Sequence, residues 1–317
     1  MTELYKPEGT RYASAQNQDY LASLQGLERA MNTQAIVEGM VTLCDSDLRL
    51  HVDLRCATGI IDAEEALYCR PGEGRKEIAI ITRVGKPVAF RILSIEIQNG
   101  VPVVRLSRRL AQESCINAYL EQLRPGDLIP AKVTHLEPFG AFLDIGCGVA
   151  SLLAVDCISV SRISHPRDRL RPGQELTVVV KSVDRESGRI YVTLRELLGT
   201  WEENAAAFGV GQTVTGIVRS VESYGVFVEL TPNLAGLAEL REPVEELRKR
   251  IGKAVAVYVK SMVPERMKIK LVLIDTCCTD PLPAPLRYYI DPAVTTHLDR
   301  WVYSPAQGKK RIETVFE

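Results

Sequence analysis

Three absences narrow the field before any motif is read. The chain has no surplus of positive charge: 39 Lys and Arg stand against 40 Asp and Glu, a formal net charge of −1. A protein that grips a polyanion by bulk charge is basic, so any nucleic-acid site here has to rest on local patches and on stacking. There is no apolar run near the roughly 20 residues a membrane span needs, and no signal-peptide pattern at the N-terminus. No membrane contact is expected, and the expected location is the cytoplasm. The eight cysteines and four histidines form no C-x-x-C pair and no set with ligand spacing, and Cys277-Cys278 are adjacent. That is poor geometry for a metal cage or an ordinary disulfide. Buried, reduced thiols are expected, with no metal and no cofactor. A phosphate-loop glycine motif, a nucleophile elbow and clustered metal carboxylates are also missing, so the chain reads as no enzyme.

What is present is an ordinary globular composition, 46% hydrophobic and 25% charged over 317 residues, enough for two domains or three small ones. Residues 1 to about 18 are polar and read as poorly ordered. Tyr20, Leu24, Leu27 and Met31 follow at helical spacing, predicting one amphipathic helix that ends near Asn32. From Ile36 to Leu106 the pattern is short strands at Ile36–Leu43, Leu48–Leu54, Gly59–Ile61, Glu77–Thr82, Pro87–Ile97 and Val101–Leu106. Arg70-Pro-Gly-Glu-Gly-Arg75 reads as a turn cluster and Gln98-Asn-Gly100 as a hairpin turn, and strands this short and regular suggest a small barrel. Ile116, Leu120 and Leu123 give a helix stopped by Pro125-Gly126. A second barrel pattern runs to about Glu196. Thr200-Trp-Glu-Glu203 is a capping box opening a short helix, and a third barrel pattern runs to about Ile274.

The second and third barrels repeat one another. Lys132-Val-Thr-His-Leu-Glu-Pro-Phe139-Gly-Ala-Phe142-Leu-Asp-Ile145 returns 85 residues later as Ile217-Val-Arg219-Ser-Val-Glu-Ser-Tyr224-Gly-Val-Phe227-Val-Glu-Leu230. Val178-Val-Val-Lys181-Ser-Val-Asp184 returns 79 residues later as Val257-Tyr-Val-Lys260-Ser-Met-Val263. Strand alternation puts Ala141, Leu143 and Ile145 on the core side, and Phe142 with Asp144 outside. It likewise puts Phe227 beside Glu229 outside. In the last strands Arg189, Tyr191 and Thr193 point out, as do Lys268 and Lys270. Gly140 is expected to bend or bulge the chain so that Phe139 and Phe142 share a face, with Gly225 doing the same for Tyr224 and Phe227. Aromatics on a half-wet β face, flanked by Lys132, Lys181, Arg189, Arg219, Lys260, Lys268 and Lys270, are what a single-strand site needs, since bases stack on rings while cations track phosphates. The alternative is that the rings cap the end of each barrel core; the duplication favours the binding face.

These residues resemble the S-one RNA-binding domain, whose pattern is aromatic-Gly-x-Phe followed by a closing acid-to-arginine strand on a five-stranded oligonucleotide-binding (OB) barrel. Residues 124–196 and 209–274 resemble it well, and residues 36–106 loosely. The resemblance implies that Phe139 and Phe142 stack bases and that Asp184 and Arg189 are the acid–base pair among the RNA-contacting positions; a salt bridge that orients Arg189 is favoured over acid/base chemistry for that pair. In the third barrel Tyr224, Phe227 and Lys268 match those positions. The family's histidine is Ala154 in one copy and Glu239 in the other, and the third barrel's acid is Val263. In the first barrel Asp47-Leu-Arg-Leu-His51 stands in place of the aromatic motif and Val101-Pro102 in place of the basic residue, so this barrel is implied to contact protein.

Glu242–Lys253 reads as a solvated helix with i,i+4 pairs Glu245–Lys249 and Glu246–Arg250. The loop with Arg162, His165, Arg167 and Arg169 is either a phosphate contact or simply solvated. Trp301 and Tyr303 either dock on the third barrel, the favoured reading, or stack bases.

The expected fold is all-β: three tandem five-stranded OB-fold barrels joined by short helices, with an N-terminal helix and a C-terminal extension. The expected boundaries are an N-terminal segment 1–35, a divergent barrel 36–108, a linker helix 109–123, an RNA-binding barrel 124–196, a capped linker helix 197–208, an RNA-binding barrel 209–274 and the extension 275–317. The expected function is single-stranded RNA binding, mRNA on the small ribosomal subunit in particular, by a monomer. The alternative is a protein-interaction scaffold. If only one barrel binds RNA, the second is expected to.

Overall fold

The computed structural model describes all residues except 1–4, 71, 73, 75, 99, 275–278 and 282–284. Cys277-Cys278 and parts of the turns at 70–75 and 98–100 therefore lie outside the described residues. Three five-stranded sheets each close into a barrel. The first is built from β1 (Val37–Cys44), β2 (Leu50–Asp53), β3 (Thr58–Ile61), β4 (Pro87–Gln98) and β5 (Val101–Ser107). The second uses β6 (Leu128–Glu137), β7 (Gly140–Asp144), β8 (Ala150–Ala154), β9 (Glu175–Asp184) and β10 (Arg189–Thr193). The third uses β11 (Thr213–Glu222), β12 (Gly225–Thr231), β13 (Leu234–Ala238), β14 (Ala254–Val263) and β15 (Lys268–Leu273). In each, the first three strands run in sequence, the fifth pairs parallel to the third, and the fourth closes the barrel against the first. That is the Greek-key order of an OB barrel.

The cores follow from alternation. Val37, Val41, Leu50, Val52, Phe90 and Leu106 are buried in the first barrel, and Val218, Val226, Val228, Val257, Val259, Ile269 and Leu271 in the third. Closure bends the sheet, and the bend is taken up by bulges at matching places. The fourth strand of each barrel slips register at Ile92/Ser94, Val180/Ser182 and Val259/Ser261. The first strand slips at Val41/Leu43 and Val218/Ser220.

Several elements depart from the sequence expectation. The N-terminal helix is two: α1 (Ala15–Leu21) and α2 (Leu24–Asn32), divided where the Ser23 hydroxyl accepts the Gly26 N–H to start the second. Residues before α1 are packed rather than loose, with Tyr5 and Glu8 buried. The strand expected at Glu77–Thr82 is a short helix, α3 (Glu77–Ile81). Ile80 plugs the core of the first barrel while Ile78 and Ile81 face solvent. An apolar run this short carries no period to separate helix from strand. The chain continues through α4 (Arg108–Ala118), whose start is capped by Ser107, and α5 (Trp201–Ala205), where both halves of the Thr200/Glu203 capping box form. The charged run holds only five helical residues, α6 (Val244–Arg248), so its ion pairs close one residue sooner, Glu245–Arg248 and Glu246–Lys249. Leu247 enters the third core. A final two-stranded sheet, β16 (Arg300–Val302) with β17 (Glu313–Val315), places Trp301 and Tyr303 in that same core cluster.

By contact density the chain forms two compact units. One comprises Met1–Leu123 with Pro130–Lys132 and Leu143–Ala150, the other Arg124–Ile129, Val133–Phe142 and Ser151–Glu317.

Candidate nucleic-acid interface

The strand register fixes one row of side chains across each barrel face. In the third barrel the row runs Ser220, Phe227, Leu237, Lys270, Ser261, each opposite the next. In the second, Leu152 stands opposite Tyr191 and Tyr191 opposite Ser182. Phe142 takes the place of Phe227, its carbonyl accepting the Thr134 hydroxyl at 3.0 Å. The same row in the first barrel reads Leu43, His51, Ile60, Arg105, Ser94.

On this frame the two aromatic pairs are near copies. The rings of Phe139 and Phe142 lie 6.0 Å apart at 90°, and those of Tyr224 and Phe227 lie 6.1 Å apart at 89°. This edge-to-face contact suits the ring quadrupole and leaves the outer ring free, with Phe139 56% and Tyr224 66% exposed. Phe142 and Phe227 are half-buried. The glycine between them is required by close approach rather than by a bulge. A side chain at Gly140 would stand 2.5 Å from the Leu153 carbonyl, and one at Gly225 2.7 Å from the Ala238 carbonyl. In the third barrel the irregularities lie away from Gly225, between Val218 and Ser220 on β11 and between Glu229 and Thr231 on β12.

One ring partner was missed. His135 stacks on Phe142 with centroids 6.4 Å apart and planes 27° apart, and it is held by Glu137 at 2.6 Å. Its repeat mate is Ser220, which stands directly opposite Phe227; aligning the copies through that pair was the signal available.

The cations divide into two groups. Arg189, Lys181, Lys260, Lys268 and Lys270 are exposed, and Tyr191 is half-buried. Lys181 and Lys260 sit at the matching bulges, where an unpaired residue turns outward. Lys181 Nζ lies 3.1 Å from Cys157 Sγ, and Lys260 is 3.3 Å from Glu239. Lys132 and Arg219 are engaged elsewhere. Lys132 Nζ donates to the Glu8 carbonyl at 3.1 Å. Arg219 pairs with Glu229 at 2.7 Å and Asp168 at 3.7 Å.

Three further placements differ from the alternation reading. Asp144 and Glu229, matching positions in the two repeats, point off the core side, yet they are 3% and 4% exposed. Each is covered by an earlier stretch of chain. Asp144 accepts the backbone N–H of Glu8 at 2.7 Å, Gly146 at 2.8 Å and Gly148 at 2.9 Å. Glu229 is gripped by Arg169 and Arg219, so Arg169 is neither solvated nor turned toward a phosphate. Thr193, expected to point out, is buried with its hydroxyl on Glu196 at 2.5 Å. Asp184 serves the turn after β9 rather than Arg189. It accepts the N–H of Glu186 and of Ser187 at 3.1 Å and the Ser187 hydroxyl. Those bonds from Ser187 hold its carboxyl below the usual range, ahead of the charge of Arg189.

Residues 122–195 match the S1 RNA binding domain model. The match falls on the second barrel. Across 198 residues the chain is 33% identical to the small ribosomal subunit protein bS1 of Staphylococcus saprophyticus, covering 57% of this chain and 49% of that one. To the bS1 homolog of Bacillus subtilis it is 33% identical over 162 residues, 50% of this chain and 42% of that one. The chain thus spans about half the length of the curated relatives it matches. A solved multidomain protein with nucleic acid binding domains from Streptococcus pneumoniae aligns at 16% identity and a TM-score of 0.24, over 77% of this chain and 74% of that one.

The first barrel carries a different set on the same frame. His51, held by Asp45 at 3.3 Å, replaces the inner aromatic ring, and Leu48 replaces the outer. Leu93 stands at the bulge that holds Lys181 and Lys260 elsewhere. The pair Glu96 opposite Val103 matches Asp184 opposite Arg189. The register therefore puts Val103, rather than Val101-Pro102, at the basic position.

Proposed function

We propose that this S1-like chain is a non-catalytic single-stranded RNA-binding protein, with the second and third barrels as its binding modules. In this reading it works in the cytoplasm as a monomer and holds mRNA on the small ribosomal subunit during translation. The supporting observation is the duplicated edge-to-face aromatic pair, exposed at its outer ring and bordered by Arg189 in one copy and by Lys268 and Lys270 in the other. Each base stacked on such a ring contributes roughly 1–3 kcal/mol. Tethering two modest sites raises the effective local concentration to about the millimolar range, which offsets a net charge too low for bulk attraction. The curated relatives are named as small ribosomal subunit proteins, which supports the ribosomal assignment. Phe139, Phe142, Tyr191, Lys181 and Arg189 are the contacts proposed for the second barrel. Tyr224, Phe227, Lys260, Lys268 and Lys270 are those proposed for the third. Lys132 and Arg219, engaged with protein groups, leave the proposed site, and Asp184 keeps only a role in shaping the turn.

Anisotropy titration of the full chain with a labelled single-stranded oligoribonucleotide tests this reading. Phe142→Ala should weaken binding by roughly 1–3 kcal/mol with an unchanged unfolding midpoint. Unchanged affinity in the folded variant would remove that face from the site.

A second reading, protein docking, is favoured for the first barrel by its exposed Leu43, Leu93, Ile97 and Val101, with Leu93 at the bulge that holds Lys181 and Lys260 in the other copies. Co-sedimentation with small subunits by a chain that ignores single-stranded RNA would favour it for the whole protein.

A further inference from the structure

The C-terminal extension is anchored to the third barrel by large side chains. Trp301 and Tyr303 are 6% and 5% exposed, the Trp201 N–H donates to the Tyr303 carbonyl at 3.0 Å, and the Tyr303 hydroxyl donates to the Asn233 carbonyl at 2.5 Å. Between β16 and β17 the chain makes an excursion, held by Gly308 N–H on the Pro305 carbonyl at 2.9 Å and Ile312 N–H on the Ser304 hydroxyl at 2.6 Å. On this excursion the Lys309 N–H donates to the Glu265 carbonyl at 2.8 Å. Glu265 belongs to the turn Pro264–Arg266 that joins β14 to β15. In an OB barrel this fourth-to-fifth-strand turn borders the binding face.

The attachment brings together two basic stretches that are far apart in sequence. Lys309 and Lys310 are exposed, as are Arg266, Lys268 and Lys270. None of these five has a side-chain ion pair among the described residues, whereas Arg300 and Arg311 are both held by Glu313 and Lys260 by Glu239. Glu265 is the one exposed acid in the turn. Three lysines or arginines in a loose tail would be solvated charge and nothing more. Here a buried Trp/Tyr anchor and a backbone bond hold two of them at the edge of the stacking face.

We propose that Lys309 and Lys310 form, with Arg266, a phosphate-binding patch that extends the third barrel's RNA site along the backbone of a strand leaving Phe227 and Lys268. The proposal rests on the single-stranded RNA reading above. It gives the third barrel cations that compensate for Glu239, and it makes the extension part of the site.

The test is a salt series on the full chain with a labelled single-stranded oligoribonucleotide, comparing wild type, Phe227→Ala, the pair Lys309→Ala/Lys310→Ala and the pair Lys309→Arg/Lys310→Arg. Each lost phosphate contact on a single strand lowers the log–log salt slope by about 0.7. The alanine pair should therefore flatten the slope by about 1.4, and the arginine pair should keep it. A wild-type slope in the alanine pair, alongside weakened binding by Phe227→Ala, would overturn the patch and leave the RNA reading standing. No binding by the wild type would overturn the RNA reading and the patch with it.

Discussion

Phe142 sits at the centre of a ring cluster, edge-on to Phe139 and stacked with His135. Phe139 and His135 are both exposed, so in the proposed reading a base arriving on this face meets them first. His135→Ala should therefore weaken single-stranded RNA binding, but by less than the roughly 1–3 kcal/mol given to a stacking ring, because the imidazole is tied to Glu137. Equal affinities for His135→Ala and wild type in the same titration would exclude it from the contact. Glu229 has a different importance. Removing it by Glu229→Ala leaves Arg169 and Arg219 without their buried partner, which costs about 3–5 kcal/mol, readable as a drop in denaturant midpoint; a drop under about 1 kcal/mol, the range of exposed pairs, would contradict the buried network. Alternation in the sequence was enough to aim Phe142, Tyr191 and Lys270 outward. It failed for Asp144 and Glu229 because period two reports which side of a sheet a residue is on, not what covers that side. The covering groups, Glu8 and Arg169, lie 136 and 60 residues away, and no local pattern encodes them.

At the scale of elements, the strap before α1 is held by carboxylates. Glu38 accepts the N–H of Gly9 at 3.0 Å and of Arg11 at 3.1 Å, and Asp144 accepts that of Glu8. Burial, reinforced by the charge of Glu8, raises Glu38 from an ordinary 4.5 to about 7, and raises Asp144 from 3.8 to about 7. The sign follows from linkage. A carboxyl that titrates higher in the folded than in the unfolded chain contributes its full share below the unfolded value, and that share is lost as pH rises through the window up to about 7. Wild type should lose more stability than Glu38→Gln between about pH 5 and pH 8, followed by urea unfolding at each pH. Parallel pH curves for the two would contradict the burial of Glu38. The strands themselves were legible, down to the hairpins and the capping box, because turn residues and alternation are local signals. The helix α3 was not, since Ile78, Ile80 and Ile81 alternate too briefly to fix a period and only packing against the first barrel's core decides which one goes in.

At the scale of the whole molecule, one barrel plan is used with different side chains on the same register. The row that reads Phe227, Leu237, Lys270 in the third barrel reads His51, Ile60, Arg105 in the first. Scaffold and face are thus separately variable: core positions keep the barrel closed while outward positions differ from copy to copy. The repeat between the second and third copies was visible as matched motifs at two fixed offsets. The first copy was harder to align from sequence because its aromatic motif is gone and only strand pairing supplies the correspondence. The central claim is that the two aromatic faces carry RNA binding, and one measurement addresses it most directly: titration of the full chain and of Phe142→Ala/Phe227→Ala against the same sequence as single-stranded and as duplex RNA. Wild type should prefer the single strand, and the double variant should lose about thirtyfold or more of that affinity, two rings at roughly 1–3 kcal/mol each being removed. A folded double variant that binds the single strand as tightly as wild type would contradict the account.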